Sequence, residues 1–181
     1  MVARFRFAVL MAIIALAAYG GNVLGTSGPQ DELAQVRRAT ARFHSVDAAL
    51  EAGYELGYEN GAGVQIITGC VAHPTDPVNV GAMGYHYFNK ALIDDNEIDV
   101  LKPEGLVYAP GPNGQLKLVA VEYVVPGPAS NPQGPAVAPT PFGMGMHILV
   151  PRVGFHTLHA WIWGHNPNGM FAHWNPEVTC A

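Results

Sequence analysis

"EGLVYAPGPNGQLKLVAVEYVVP", residues 104 to 126, sets two apolar runs on either side of GPNG. Runs rich in Val, Leu and Tyr around Asn113-Gly114 predict an antiparallel hairpin, because that dipeptide accepts the positive φ angles a tight turn demands. Alternation along the second run puts Leu116, Leu118, Ala120, Glu122 and Val124 on one face and Val119, Val121 and Tyr123 on the other. Both faces are apolar, so this strand belongs in the interior and carries Glu122 into it. A buried carboxylate needs a cation, a strong hydrogen-bond donor or a proton. Arg152 or a lysine is the ordinary partner; a metal ion shared with histidines is the alternative.

The same punctuated pattern extends on both sides of the hairpin. "VQIITGC" (64 to 70), "GAMGYHYFN" (81 to 89), "MGMHILVP" (144 to 151) and "GFHTLHAWIW" (154 to 163) are further strand candidates, short apolar runs bounded by Gly, Pro and Asn. Upstream, "SGPQDELAQVRRATARFHSVDAALEAGY" (27 to 54) places Leu33, Val36, Thr40 and Phe43 at helical spacing, with Ser27 or Asp31 as cap and Ser45 and Asp47 marking a second start. The expected fold is α+β: N-terminal helices packed on a mainly antiparallel β-sheet or small β-barrel, in a single domain. Residues 126 to 141, "PGPASNPQGPAVAPTP", hold six prolines and must be an exposed connection, either a plain loop or a flap over a site.

Composition limits the function classes. Of 181 residues, 49% are hydrophobic and 13% charged, which excludes an extended disordered chain. The opening "MVARFRFAVLMAIIALAAYGGNVLGTSG" has Arg4 and Arg6, an apolar run shorter than a bilayer span, and then small residues, the layout of a signal peptide over residues 1 to 25. The remaining domain, 26 to 181, is then expected in a secreted or periplasmic setting, with no integral membrane segment. Without Arg4 and Arg6, seven basic residues face fourteen acidic ones, a net charge of about −7 that argues against nucleic acid as a partner. Cys70 and Cys180 are the only cysteines, and in an oxidising compartment they are expected to pair.

The chemistry lies with the histidines. His86 sits in an aromatic strand, and His147, His156 and His159 crowd the segment 147 to 163. Neutral imidazoles with a carboxylate on β strands commonly build a mononuclear site for a divalent transition metal such as Zn, Cu, Fe or Mn. On a strand, His156 and His159 point to opposite faces, so joint use requires a bend near Gly154 to Thr157. His165 and His173 fall in a turn-rich tail and read as surface residues, as does His44. Zinc-protease, nucleophile-elbow, P-loop and dinucleotide motifs are absent.

The stretches "GAMGYHYFN", "PEGLVYAPGPNGQLKLVAVEYVV" and "HTLHAWIWGHNPNGMFAHWNP" together resemble a group of secreted or periplasmic bacterial proteins for which no activity is established. The resemblance spans roughly Cys70 to Cys180, and it implies one shared fold and a common polar set of His86, Glu122, His156 and His159. The expected metal ligands are therefore His86, Glu122, His156 and His159, with His147 as replacement. If the protein is an enzyme, Glu122 is the expected catalytic base, and Tyr85, Tyr87, Trp161 and Trp163 wall a pocket for a small organic substrate. The rival expectation is a binding module with an aromatic pocket and no metal.

Overall fold

The computed structural model describes residues 28–59, 63, 65, 67, 69–149 and 154–180. Along these run α1 (Pro29–Thr40), α2 (Val46–Glu51), β1 (Tyr54–Leu56), β2 (Cys70–Ala72), β3 (Ala82–Asn89), α3 (Lys90–Asp94), β4 (Gly105–Pro110), β5 (Leu116–Pro126), β6 (His147–Leu149) and β7 (Phe155–Ala160). The strands form one antiparallel sheet in the order β1-β3-β4-β5-β7-β6, with β2 also paired to β3. It is an open sheet and not a barrel. The expected signal segment, Ser27 and Arg152 lie outside the described residues. Among the described residues no helix is long and apolar enough to cross a membrane.

The hairpin of β4 and β5 is the centre of the sheet, as its two-sided apolar pattern requires. Its turn differs in detail from the expected one. Gly111 N–H donates to the Gln115 carbonyl at 2.7 Å, enclosing the three residues Pro112 to Gly114, and only Gly114 has positive φ, at 72°. A three-residue loop closed by a left-handed glycine replaces the two-residue turn.

A second difference decides which side chains meet. Val107 pairs with Ala120 but Tyr108 pairs with Leu118, so Val119 is an extra residue, a bulge. The alternation therefore breaks at Val119. Leu118 joins Val121 and Tyr123 on one face with Tyr108, while Val119 and Ala120 pack on the other with Val107 and Trp161. The bulged Val119 carbonyl accepts from the N–H groups of Trp163 and Gly164, at 3.1 and 2.7 Å, which ends β7 and turns the chain away.

The first face receives α1 and α2, whereas Ile93 of α3 packs with Phe88, Val124 and Phe155 on the second. Val36, Phe43 and Ala49 pack against Leu106, Tyr108, Leu118, Val121, Tyr123 and Leu158. Gly28 is the N-cap of α1, with Pro29 in the first turn, where its missing N–H costs nothing. Ser45 caps α2 through its Oγ, which accepts from the Ala48 N–H at 3.3 Å. The second face is covered by the C-terminal segment. Ala82 and Asn175 exchange two backbone hydrogen bonds of 3.1 Å, and Trp161 Nε1 donates to the Ala172 carbonyl at 2.7 Å. A Cys70–Cys180 disulfide fastens the end of this segment to β2. Closing a loop of that length stabilises a fold by about 4 to 5 kcal/mol in the chain-entropy view.

Candidate metal centre

Four residues align in one row across the sheet: Phe88 on β3 pairs with Gly105 on β4, Gly105 with Glu122 on β5, and Glu122 with His159 on β7. Cross-strand neighbours in such a row face the same side. Gly105 leaves a gap in it. A Cβ added at Gly105 would lie 2.9 Å from the Phe88 ring and 3.1 Å from the Glu122 Cβ. Strands two places apart are about 10 Å apart, and through this gap His86, two residues before Phe88 on β3, reaches Glu122.

The three side chains converge. His86 Nε2 and His159 Nε2 are 3.2 Å apart, His86 Nε2 is 3.5 Å from Glu122 Oε2, and His159 Nε2 is 3.8 Å from Glu122 Oε1. Exposure is 0% for His86 and 1% for each of the others. One donor atom from each lies within 4.8 Å of the other two, so the group is able to hold a metal ion. Two imidazole nitrogens bound to one tetrahedral ion at 2.0 to 2.1 Å stand about 3.3 to 3.4 Å apart. The separation of 3.2 Å is close to that span.

Burial sets the protonation. It pushes the His86 imidazole down to about 3 and holds His159 well below the usual histidine range. It pushes the Glu122 carboxyl up to about 8. All three shifts run in one direction, toward the uncharged forms of these side chains. His86 Nδ1, His159 Nδ1 and Glu122 Oε2 have no hydrogen-bond partner among the described residues. An orphan of this kind costs about 1 to 3 kcal/mol; of the three, Glu122 Oε2 alone belongs to the converging atoms, 3.5 Å from His86 Nε2.

The other expected ligands are elsewhere. His156 pairs with Val125 and faces the opposite side of β7 from His159, because no bend interrupts the strand between them. It borders a cleft of about 310 Å³ shared with Gly127, Pro128, Ala136 and Ile148. The proline-rich connection therefore lies over His156 and does not serve as a flap on the cluster. His147 is exposed on the edge strand β6. Its ring sits 5.5 Å from that of His173.

The expected aromatic pocket is not assembled either. Tyr85, Tyr87 and Trp163 pack with the helix-side core, Tyr87 edge-on to Tyr108 at 5.1 Å and Trp163 edge-on to His44 at 4.4 Å. Only Trp161 adjoins the cluster, stacked on His159 at 6.0 Å. Tyr85 and Tyr87 alternate with His86 along β3 and so face the helix side, and the end of β7 at Ala160 parts Trp163 from Trp161.

Two residues escaped the sequence reading. His173, read as a surface residue, is half-buried, its ring 5.5 Å from that of His159. Its place depends on the tail folding over the second face, which the Cys70 and Cys180 pairing alone hinted at. Glu104 is buried on the helix side, its Oε2 accepting from the Val124 N–H at 3.0 Å, and burial pushes its carboxyl up to about 9. It opens the decisive hairpin, ahead of the first apolar run, and the alternation that singles out Glu122 does not reach it.

Searches against family models, curated proteins and solved structures each find no match for this chain.

The packing of Gly105 is testable. Gly105→Ala is expected to cost about 1 to 3 kcal/mol, the range for overpacking a filled core, measured by urea unfolding. A change below a few tenths of a kcal/mol would show that Phe88 and Glu122 yield without cost.

Proposed function

We propose that this protein binds one divalent transition metal ion through His86 Nε2, His159 Nε2 and the Glu122 carboxylate. The observation that carries the reading is the convergence of three buried donor atoms within 4.8 Å, with no cationic side chain among them. Imidazole nitrogen with a single carboxylate is a ligand set for Zn or for Fe, and Cu or Mn are accommodated by the same atoms. Glu122 acts as a ligand in this reading and not as a free general base. Ionised by the metal, it supplies a negative charge that offsets half of a divalent ion's charge, and the open positions of the ion go to water or a small ligand.

A secreted or periplasmic location agrees with the disulfide, which persists in oxidising compartments. The larger surface cleft, of about 620 Å³, is lined by Leu56, Tyr58, Phe88 and Lys90 and not by the three donors. This favours a metal-holding role over turnover of a large substrate. Elemental analysis of untagged protein, before and after exposure to Zn, Cu, Fe and Mn, is the test. About one equivalent of one metal is expected. Less than a tenth of an equivalent of every metal would sink the proposal.

A further inference from the structure

Four histidine rings form a file from the surface to the core. His147 is exposed, His173 half-buried, and His159 and His86 buried. The centroids of His147 and His173, of His173 and His159, and of His159 and His86 are each 5.5 Å apart, and every pair meets edge to face, at 73°, 81° and 82°. The innermost pair brings two Nε2 atoms to 3.2 Å with this ring spacing. The same spacing repeats twice on the way out.

The file draws on parts of the fold with no other reason to meet. His147 pairs with Thr157, so it shares the face that His159 occupies two residues along β7. His173 comes from the C-terminal segment laid over that face, held by the Asn175–Ala82 hydrogen bonds on one side and by the Trp161–Ala172 bond on the other. His173 is not among the three atoms that converge within 4.8 Å, so it stands beside the cluster and does not complete it.

We infer that His147 and His173 form an outer acceptor pair, which takes a divalent transition metal ion from solvent and passes it to the buried His86, Glu122 and His159 cluster. The inference rests on the metal reading of that cluster. An ion stripped of water is unstable in an apolar wall, and successive imidazoles replace the lost water ligands one at a time. The pair by itself offers two ligands against three in the core, so it binds more weakly and releases inward. No electron or group is transferred; one nitrogen donor is exchanged for another at each step.

Cobalt(II) is the probe, since its visible absorbance reports both coordination and rate. Wild type is expected to take one equivalent tightly and, in excess, a second weakly. In His147→Ala and His173→Ala the tight equivalent remains at equilibrium and the weak one disappears. Loading and chelator-driven release both slow, about tenfold or more in the double variant. Exposed His165→Ala serves as control and leaves all three quantities unchanged. Loading at the wild-type rate in the double variant overturns the relay. Loss of the tight equivalent in His173→Ala, with near-UV circular dichroism unchanged, overturns it too, because His173 is then a ligand of the inner site. No cobalt uptake by wild type would instead remove the inner site and the relay with it.

Discussion

Alanine in place of His159 is expected to abolish tight metal uptake, weakening affinity by at least about 100-fold. Outer partners of a ligand already account for about 10 to 100-fold, and His159 contributes one of only three donor atoms. His86→Ala and Glu122→Gln are expected to do the same, whereas His156→Ala leaves affinity unchanged, because His156 projects from the other side of β7. Competition against a chelator of known affinity measures the effect. His159→Asn, which retains a polar side chain in the cavity, separates lost coordination from lost folding. Undiminished affinity in the His159 variants, or an equal loss in His156→Ala, would refute the assignment by strand face.

The metal-free protein is expected to lose stability as pH rises from about 6.5 to 9. Glu122 and Glu104 have folded-state values raised from 4.5 to about 8 and about 9. Their contribution is complete below 4.5 and disappears as pH rises through the folded values, because the unfolded chain gives up those protons first. His86 and His159 act in the opposite sense. Their depressed values make the folded state lose stability as pH falls below 6.5, where the unfolded chain takes up protons that the buried rings refuse. The two effects oppose each other between 4.5 and 6.5, and above 6.5 only the carboxyls remain. Each contributes up to about 1.4 kcal/mol per pH unit. Urea unfolding at pH 6.5, 7.5 and 8.5 reads the slope. Glu122→Gln should remove about half of it, and bound metal should do the same by holding Glu122 ionised. A flat profile would show that both carboxyls are already charged in the folded protein.

Much of the architecture is legible in the chain because it depends on local pattern. Two-sided apolar runs mark β4 and β5 as central, Ser45 stands where α2 begins, and two cysteines in a small domain pair. His86 and Glu122 are identifiable as candidates for the same reason: each is a polar residue inside a run that has to be buried. Parity fails where it is interrupted. The bulge at Val119 moves Leu118 to the helix side, and the end of β7 separates Trp161 from Trp163.

Histidine density within 147 to 163 was the weaker guide. It pointed to His159 but equally to His156, which faces the other side of β7, and to the exposed His147 as a replacement, and it passed over His173 in the tail.

By itself the sequence determined the hairpin, the α+β class, the disulfide partners and the burial of one histidine and one carboxylate, since each follows from propensity, periodicity or count. Only the tertiary structure decided that His86, Glu122 and His159 meet. That outcome depends on register across four strands and on the empty place at Gly105, which lets side chains two strands apart touch. It also decided the part of His173, because a residue in an irregular tail acquires its neighbours only when the tail is fastened down.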